Sequence, residues 1–130
     1  MLAALAPRAA IHKDLLVRRL PLDCCTPVAG SSLAYHEAAE LERLLRSVAD
    51  RHRLKILNML ARAGAPVCVC EFSAELDLPQ QNISYHLKQL VEAGVVVRER
   101  RGRYSFYVLV DGVLSQIAAL VAEPAERAAA

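Results

Sequence analysis

The chain has 130 residues, the length of one domain with room for short arms. Of these residues 55% are hydrophobic and 23% are charged, an ordinary globular composition that argues against wholesale disorder. No apolar run approaches the roughly 18 residues of a transmembrane helix, and the Ala-rich start does not resemble a signal peptide, so a cytoplasmic protein is expected. The net charge is only +2, and the distribution of charge is therefore more informative than its sum.

Proline, glycine and composition divide the chain into three parts. Residues 1–30, interrupted by three prolines and Gly30, are predicted to be an irregular N-terminal arm. Residues 31–122 carry the periodicities of one folded domain. Residues 123–130 are Ala/Glu-rich and are predicted to be a flexible tail.

Two helices are predicted at the start of the folded domain. Ser31 and Ser32 are the expected N-caps of the first, in which apolar residues recur at helical spacing for about four turns. Asp50 is the expected cap of the second, and Gly64 followed by a proline is expected to end it.

Two further helices, a β-hairpin and a last helix are predicted after the second helix. A short third helix over residues 70–76 and a fourth over residues 79–94 form a helix-turn-helix, and alternating residues over 95–110 then predict a β-hairpin with Gly102 at its tip. Asp111 is the expected cap of a last helix. This order predicts a mainly α fold with a β-hairpin wing (α+β), a winged helix-turn-helix of the order αααα-ββ-α.

The fourth helix and the hairpin carry residue types that suit contact with double-stranded DNA. In a winged helix-turn-helix, the helix after the turn enters the major groove and the wing lies on the backbone or in the minor groove. Amide side chains pair with adenine edges, whereas hydroxyl, lysine and arginine side chains suit phosphates. The candidate DNA contacts are Gln80, Gln81, Asn82, Ser84, Tyr85, His86 and Lys88 on the helix, and Arg98, Arg100, Arg101 and Arg103 in the hairpin.

The four cysteines form two tight pairs, Cys24 with Cys25 and Cys68 with Cys70. A disulfide framework is disfavoured in a cytoplasmic protein, and the C-x₂-C spacing of zinc ribbons and dithiol oxidoreductases is absent. A thiolate site for a soft metal remains, and all four cysteines are candidate ligands.

The spacing of Cys68 and Cys70 has a geometric consequence. Residues two apart on a helix point about 200° away from each other, whereas in extended backbone they share one face. The two thiols can therefore hold one ion only if the third helix does not begin as regular helix, and ion binding is expected to bend its start. The helix N-terminus is also expected to lower the thiol pKa.

Two stretches resemble a known family. DRHRLKILNML (50–60) and CVCEFSAELDLPQQNISYHLKQLVEAGVVVRERRGRYSFYVL (68–109) are similar to the ArsR/SmtB family of metal-sensing bacterial repressors, over about residues 35–120. The resemblance implies a homodimer through the first and last helices, binding to an imperfect palindromic operator, loss of DNA affinity when metal binds, and no enzymatic activity. Pro79 departs from the family, which usually has serine there, so the hydroxyl cap of the fourth helix is expected to be absent.

The resemblance also limits which ions are expected to act as the inducer. Members with Cys-Val-Cys at the third helix sense As(III)/Sb(III) or Cd(II)/Pb(II), and some arsenic sensors carry a vicinal cysteine pair in the arm. We expect As(III) or Sb(III), with Cd(II)/Pb(II) or a thiol redox or persulfide signal as alternatives. The family's second zinc site is not expected, because no histidine follows Asp111 in the last helix. A thiol enzyme or metal carrier is disfavoured, because no base or orienting carboxylate accompanies the cysteines.

Overall fold

A computed structural model of the chain describes residues 25–123. Most of the predicted arm, including Cys24, and the tail from residue 124 onward lie outside these described residues. The described part forms five α-helices and a three-stranded antiparallel sheet in the order αα-β-αα-ββ-α. The predicted helices and wing are confirmed, and a short strand before the third helix is added. None of the helices in this part is long and apolar enough to cross a membrane.

Helix α1 spans Tyr35–Val48 and does not begin where the sequence predicted. The expected caps, Ser31 and Ser32, lie outside it, and Ala34 occupies the N-cap position. The Glu37 carboxylate accepts a hydrogen bond from the backbone N–H of Ala34 at 2.9 Å. An acidic side chain in the first turn satisfies a free donor and favours the positive end of the helix dipole, so a serine cap is unnecessary.

Helix α2 spans Arg51–Ala63, and its capping residues at both ends are the predicted ones. One carboxylate oxygen of Asp50 accepts hydrogen bonds from the backbone N–H groups of His52 at 3.0 Å and Arg53 at 3.1 Å. Gly64 ends the helix with a φ of 68°, a left-handed conformation that favours glycine.

Strand β1, Val67–Cys68, was not predicted and leads directly into helix α3, Val69–Glu75. After a short turn, helix α4 spans Gln80–Glu92. Pro79 is its N-cap and provides no side-chain hydrogen bond, as the missing hydroxyl predicted. These elements form the helix-turn-helix.

The wing is a hairpin of strands β2, Val96–Arg101, and β3, Tyr104–Leu109. Gly102 has a φ of 62° at the first of the two loop residues, the position at which a type II′ turn requires glycine. Strand β3 lies in the middle of the sheet, and its Phe106 is opposite Cys68 of β1. The wing and the cysteine-bearing strand therefore belong to one hydrogen-bonded sheet.

Helix α5, Val113–Val121, is apolar on more than its core-facing side. Gly112, not the expected Asp111, is its N-cap, with a φ of 74°. Leu114 and Val121 are 41% and 51% exposed. This exposed apolar surface has no cover within the described residues.

One core joins the helices to the sheet. Helix α2 contributes Ile56 to it, whereas Leu54 of the same helix is 54% exposed. Full burial of a large apolar side chain contributes about 1.5–3 kcal/mol, so this core fixes the orientation of α4 and the wing. The side chains with less than 2% exposure are Phe72, Ile56, Leu60, Ile83, Leu87, Leu90, Val95, Val108, Val110 and Val113.

Candidate nucleic-acid interface and thiol pair

Helix α4 presents a polar face because its apolar residues all point inward. Ile83, Leu87 and Leu90 are completely buried, and their spacing of four and three residues places them on one side of the helix. Six of the seven predicted DNA contacts on α4 are exposed: Gln80, Gln81, Asn82, Ser84, Tyr85 and Lys88. The helix can therefore enter a groove of DNA without uncovering the core.

His86, the seventh, does not lie with the others. Its side chain is only 12% exposed and packs against the start of α2. Its Nδ1 accepts a hydrogen bond from Arg53 Nε at 3.1 Å and lies 3.8 Å from a carboxylate oxygen of Asp50. The structure thus directs this ring toward the protein, away from the polar face of α4.

The four arginines of the wing are all exposed, but they do not share one surface. Arg98 and Arg103 line a groove between the wing and α4. Arg101 instead donates a hydrogen bond to Glu99 at 3.1 Å, and its guanidinium lies 5.3 Å from the ring centroid of Phe106. The charge of Arg101 is therefore partly balanced within the wing itself.

The groove between α4 and the wing, hereafter the helix–wing groove, has a volume of about 680 Å³. It contains groups from both sets of predicted functional residues. The residues that line the groove include Cys68, Cys70, Gln80, Ser84, Arg98, Arg103 and Ser105. Candidate metal ligands and candidate DNA contacts thus line the same surface.

Cys68 and Cys70 are free thiols that lie together in this groove. Their Sγ atoms are 2.9 Å apart. Cys68 has extended backbone and is the N-cap of α3, where its Sγ accepts a hydrogen bond from the N–H of Cys70 at 3.4 Å. The condition that the third helix does not begin as regular helix at Cys68 is met. The expected bend on ion binding is not needed to bring the sulfurs together, because the extended residue already does so.

The pKa of one thiol of the pair, Cys70, differs from the expected one. The pKa of the Cys70 thiol is raised above its ordinary value of 9.0, chiefly by its hydrogen bond with Cys68, with burial and the negative charges of Cys68 and Glu71 acting in the same direction. The expected lowering by the helix N-terminus is therefore wrong for Cys70. The hydrogen bond with Cys68, burial and the nearby negative charges together outweigh the effect of one short helix on this pKa.

Cys25, the one arm cysteine within the described residues, is not part of this pair. Cys25 is half-buried and packs against the core, and Cys24 lies outside the described residues. The arm next to Cys25 runs near the end of α5, because the N–H of Val28 donates a hydrogen bond to the carbonyl of Leu120 at 2.9 Å. Within residues 25–123, no three histidine, cysteine or carboxylate side chains are grouped closely enough to hold a metal ion.

Arg53 is not among the candidate residues predicted from the sequence. This side chain of α2 contacts both His86 and the backbone carbonyl of Ser47, at 3.1 Å in each case. No local pattern reveals these contacts, since His86 is 33 positions away along the chain.

Comparison with known proteins agrees with this architecture. Residues 50–97 match the family described as bacterial regulatory protein, arsR family. The chain is 40% identical over 89 residues to the uncharacterized HTH-type transcriptional regulator MJ1325 of Methanocaldococcus jannaschii, covering 68% of this chain and 96% of that protein. It is 35% identical over 79 residues to the arsenical resistance operon repressor of Bacillus subtilis, covering 58% and 74% of the two chains.

A solved structure extends the similarity to three dimensions. The crystal structure of the AntR antimony-specific transcriptional repressor matches with a TM-score of 0.58 at 27% identity, covering 69% of this chain and 80% of that one. Sequence and fold therefore point to the same group of proteins. The chain belongs to the ArsR family of bacterial regulatory proteins and is a DNA-binding transcriptional repressor, not an enzyme.

Proposed function

We propose that this repressor releases its operator when its cysteine thiolates bind As(III) or Sb(III). The observation that carries the proposal is the pair of Sγ atoms 2.9 Å apart in the helix–wing groove. The similarity to an arsenical resistance operon repressor and to an antimony-specific repressor supports the choice of ion.

The thiol pair supplies two of the ligands that a soft ion needs. Sulfurs of a tetrahedral thiolate site with bonds of about 2.3 Å lie about 3.8 Å apart, so Cys68 and Cys70 need to separate by only about 1 Å. Pyramidal As(III) takes three thiolates, and the third is proposed to come from Cys25 or Cys24. Cys25 packs against the core and does not form a three-ligand group with Cys68 and Cys70. Completing the site therefore requires movement of the arm or the arm of a partner subunit.

The proposed DNA contacts divide by chemistry. Gln80, Gln81 and Asn82 begin α4 and carry amides for base edges, whereas Ser84, Tyr85 and Lys88 suit phosphates. In the wing, Arg98, Arg100, Arg101 and Arg103 are proposed to hold the backbone of the duplex. His86 is retained only as a weaker candidate, since its ring is turned toward α2.

The thiols and the DNA contacts are coupled by position. Cys68 belongs to the same sheet as the wing, because β1 pairs with β3 and β3 pairs with β2. Gln80, Ser84 and Arg98 line the groove in which the sulfurs lie. An ion on the sulfurs is proposed to displace these side chains and to shift the wing relative to α4, which weakens DNA binding.

The active form is proposed to be a homodimer that contacts its partner through α1 and α5. Helix α5 covers the core with one face and leaves Leu114 and Val121 exposed on another. Val28, 55% exposed, is a further apolar residue beside the end of α5, because its N–H donates a hydrogen bond to the carbonyl of Leu120. A second copy of the chain would cover these apolar side chains and place two reading helices on a palindromic operator.

A redox signal is the second candidate, and the short Sγ–Sγ distance favours it. A peroxide would take two electrons from the pair, the two thiols would lose their protons as Cys68 and Cys70 form a disulfide, and the peroxide would be reduced to water. Cd(II) or Pb(II) bound by four thiolates is the remaining alternative within the same mechanism.

The test is fluorescence anisotropy with a duplex selected by the protein from a random library. Arsenite or antimonite should release the wild-type protein, whereas Cys68→Ser and Cys70→Ser should bind DNA normally and no longer respond. Serine is also a good N-cap, so Cys68→Ser should fold. Ser105→Ala, in the same groove but without a thiol, is the control.

The outcomes separate the candidates. Release by peroxide, with the loss of two hydrogen atoms from the protein in mass spectrometry, indicates the redox signal, and release only by Cd(II) or Pb(II) indicates the four-thiolate site. X-ray absorption counts the sulfur ligands, and single Cys24→Ser and Cys25→Ser variants identify the third. A protein that arsenite and antimonite leave on DNA contradicts the proposal.

A further inference from the structure

Arg53 connects three helices through its guanidinium group. Its Nη1 donates a hydrogen bond to the carbonyl of Ser47, near the end of α1, at 3.1 Å. Its Nε donates to Nδ1 of His86, in the middle of α4, at 3.1 Å. The residue itself lies in the first turn of α2. A rigid planar fork that makes both bonds fixes the position of α4 relative to the other two helices.

His86 accepts the hydrogen bond of Arg53 only when its Nδ1 carries no proton. The charged and titratable groups that face the ring are Asp50, His52 and Arg53 from α2 and Tyr85 from its own helix. The ring centroid of His52 is 5.5 Å away. Protonation would direct an N–H of His86 at an N–H of Arg53 and place a second positive charge beside the first.

Tyr85 extends this arrangement to the polar face of α4. Its ring is 55% exposed, yet the guanidinium of Arg53 lies 5.8 Å from its centroid and the ring of His86 meets it at 5.5 Å in an edge-to-face geometry. An exposed tyrosine whose ring already contacts two other side chains loses little rotational freedom when it binds DNA.

We propose that Arg53 and His86 are positioning residues that hold Tyr85 and the reading helix in the DNA-binding arrangement, and that protonation of His86 weakens operator binding. This inference rests on the assignment of α4 as the reading helix. It does not depend on the thiols, because none of the groups involved lines the helix–wing groove.

The pH range follows from the surroundings of the ring. Burial lowers the pKa of His86 below its usual 6.5, and the charges of Arg53 and His52 act in the same direction, which outweighs the opposing attraction of Asp50. The arrangement is therefore complete above pH 6.5 and is lost as the pH falls through the lowered pKa.

The experiment measures affinity for the selected duplex by anisotropy between about pH 5 and 8, with unfolding followed in parallel. Wild-type affinity should fall about fivefold at the acid end, the effect of one hydrogen bond. His86→Gln keeps an acceptor that does not titrate, so the affinity of this variant should no longer change with pH over this range. His36→Gln, an exposed histidine of α1, should behave as the wild type.

Arg53→Lys supplies an independent readout. It keeps the positive charge but cannot make both hydrogen bonds, so affinity should fall about fivefold with no change in the salt dependence of binding. A direct phosphate contact at Arg53 would instead change that salt slope. Retention of the wild-type pH profile by His86→Gln, or wild-type affinity in Arg53→Lys, would overturn the inference. Failure to select any duplex would instead count against DNA binding itself.

Discussion

Replacing Asp50 with alanine removes the side chain that caps α2. One carboxylate oxygen then no longer accepts the N–H groups of His52 and Arg53, bonds of 3.0 and 3.1 Å. The loss of an Asp N-cap costs about 1 kcal/mol and up to about 2 kcal/mol. In a domain of this size each kcal/mol lowers the melting temperature by roughly 4–8 °C. Arg53 also positions His86, so DNA affinity should fall together with stability.

Calorimetry of Asp50→Ala, Asp50→Asn and Asp77→Ala tests this estimate. Asparagine caps a helix as well as aspartate does, so Asp50→Asn should retain most of the stability at neutral pH. Asp77 is an exposed residue between α3 and α4, and its replacement should change the free energy of unfolding by less than about 0.5 kcal/mol. Equal melting temperatures for Asp50→Ala and Asp77→Ala would refute the reasoning.

The charge of Asp50 adds a pH dependence to the same comparison. Burial acts to raise its pKa, but the N–H groups of Arg53 and His52 and the charges of His86 and Arg53 outweigh burial and hold it below 3.8. A carboxylate with a lowered pKa contributes stability that is present above pH 3.8 and is lost as the pH falls through the folded value. The difference between wild type and Asp50→Asn should therefore shrink in acid.

The wing, the thiol pair and the last helix each allow a separate measurement. Arg100→Ala combined with Arg101→Ala should weaken binding to every duplex and reduce the slope of log affinity against log salt by about one to two units; a loss confined to one sequence would contradict phosphate contact. Gly102→Ala places a side chain at a φ of 62° and should lower the free energy of unfolding by about 1–2 kcal/mol in denaturant titration, an estimate that an unchanged midpoint would reject. Because the pKa of Cys70 is raised above 9.0, Cd(II) must displace a proton and its affinity in calorimetric titration should rise with pH, whereas neutral arsenous acid releases water and should show little pH dependence. Leu114→Glu should convert a dimer into a folded monomer in sedimentation experiments, and a dimer that persists would place the interface elsewhere.

The candidate site was predictable as a set of residues but not as an arrangement. The polar face of α4 follows from the spacing of its buried residues, and the exposed arginines follow from a glycine-tipped hairpin. The spacing of Cys68 and Cys70 also indicated that their thiols can meet only if the third helix starts in extended backbone. Whether that condition holds depends on β1, a strand of two residues that exists only because β3 pairs with it.

Local chemistry alone determined the order of the helices, the Asp50 cap, the Gly64 and Gly102 conformations and the wing, because each depends on residues a few positions apart. Tertiary structure alone decided the turning of His86 toward Arg53, the common groove of the Cys68–Cys70 pair and candidate DNA contacts, and the position of Cys25 against the core and outside that pair. These contacts join distant parts of the chain, and periodicity carries no information about which distant side chains meet. A hydrogen bond between residues 33 positions apart is set by the packing of whole helices.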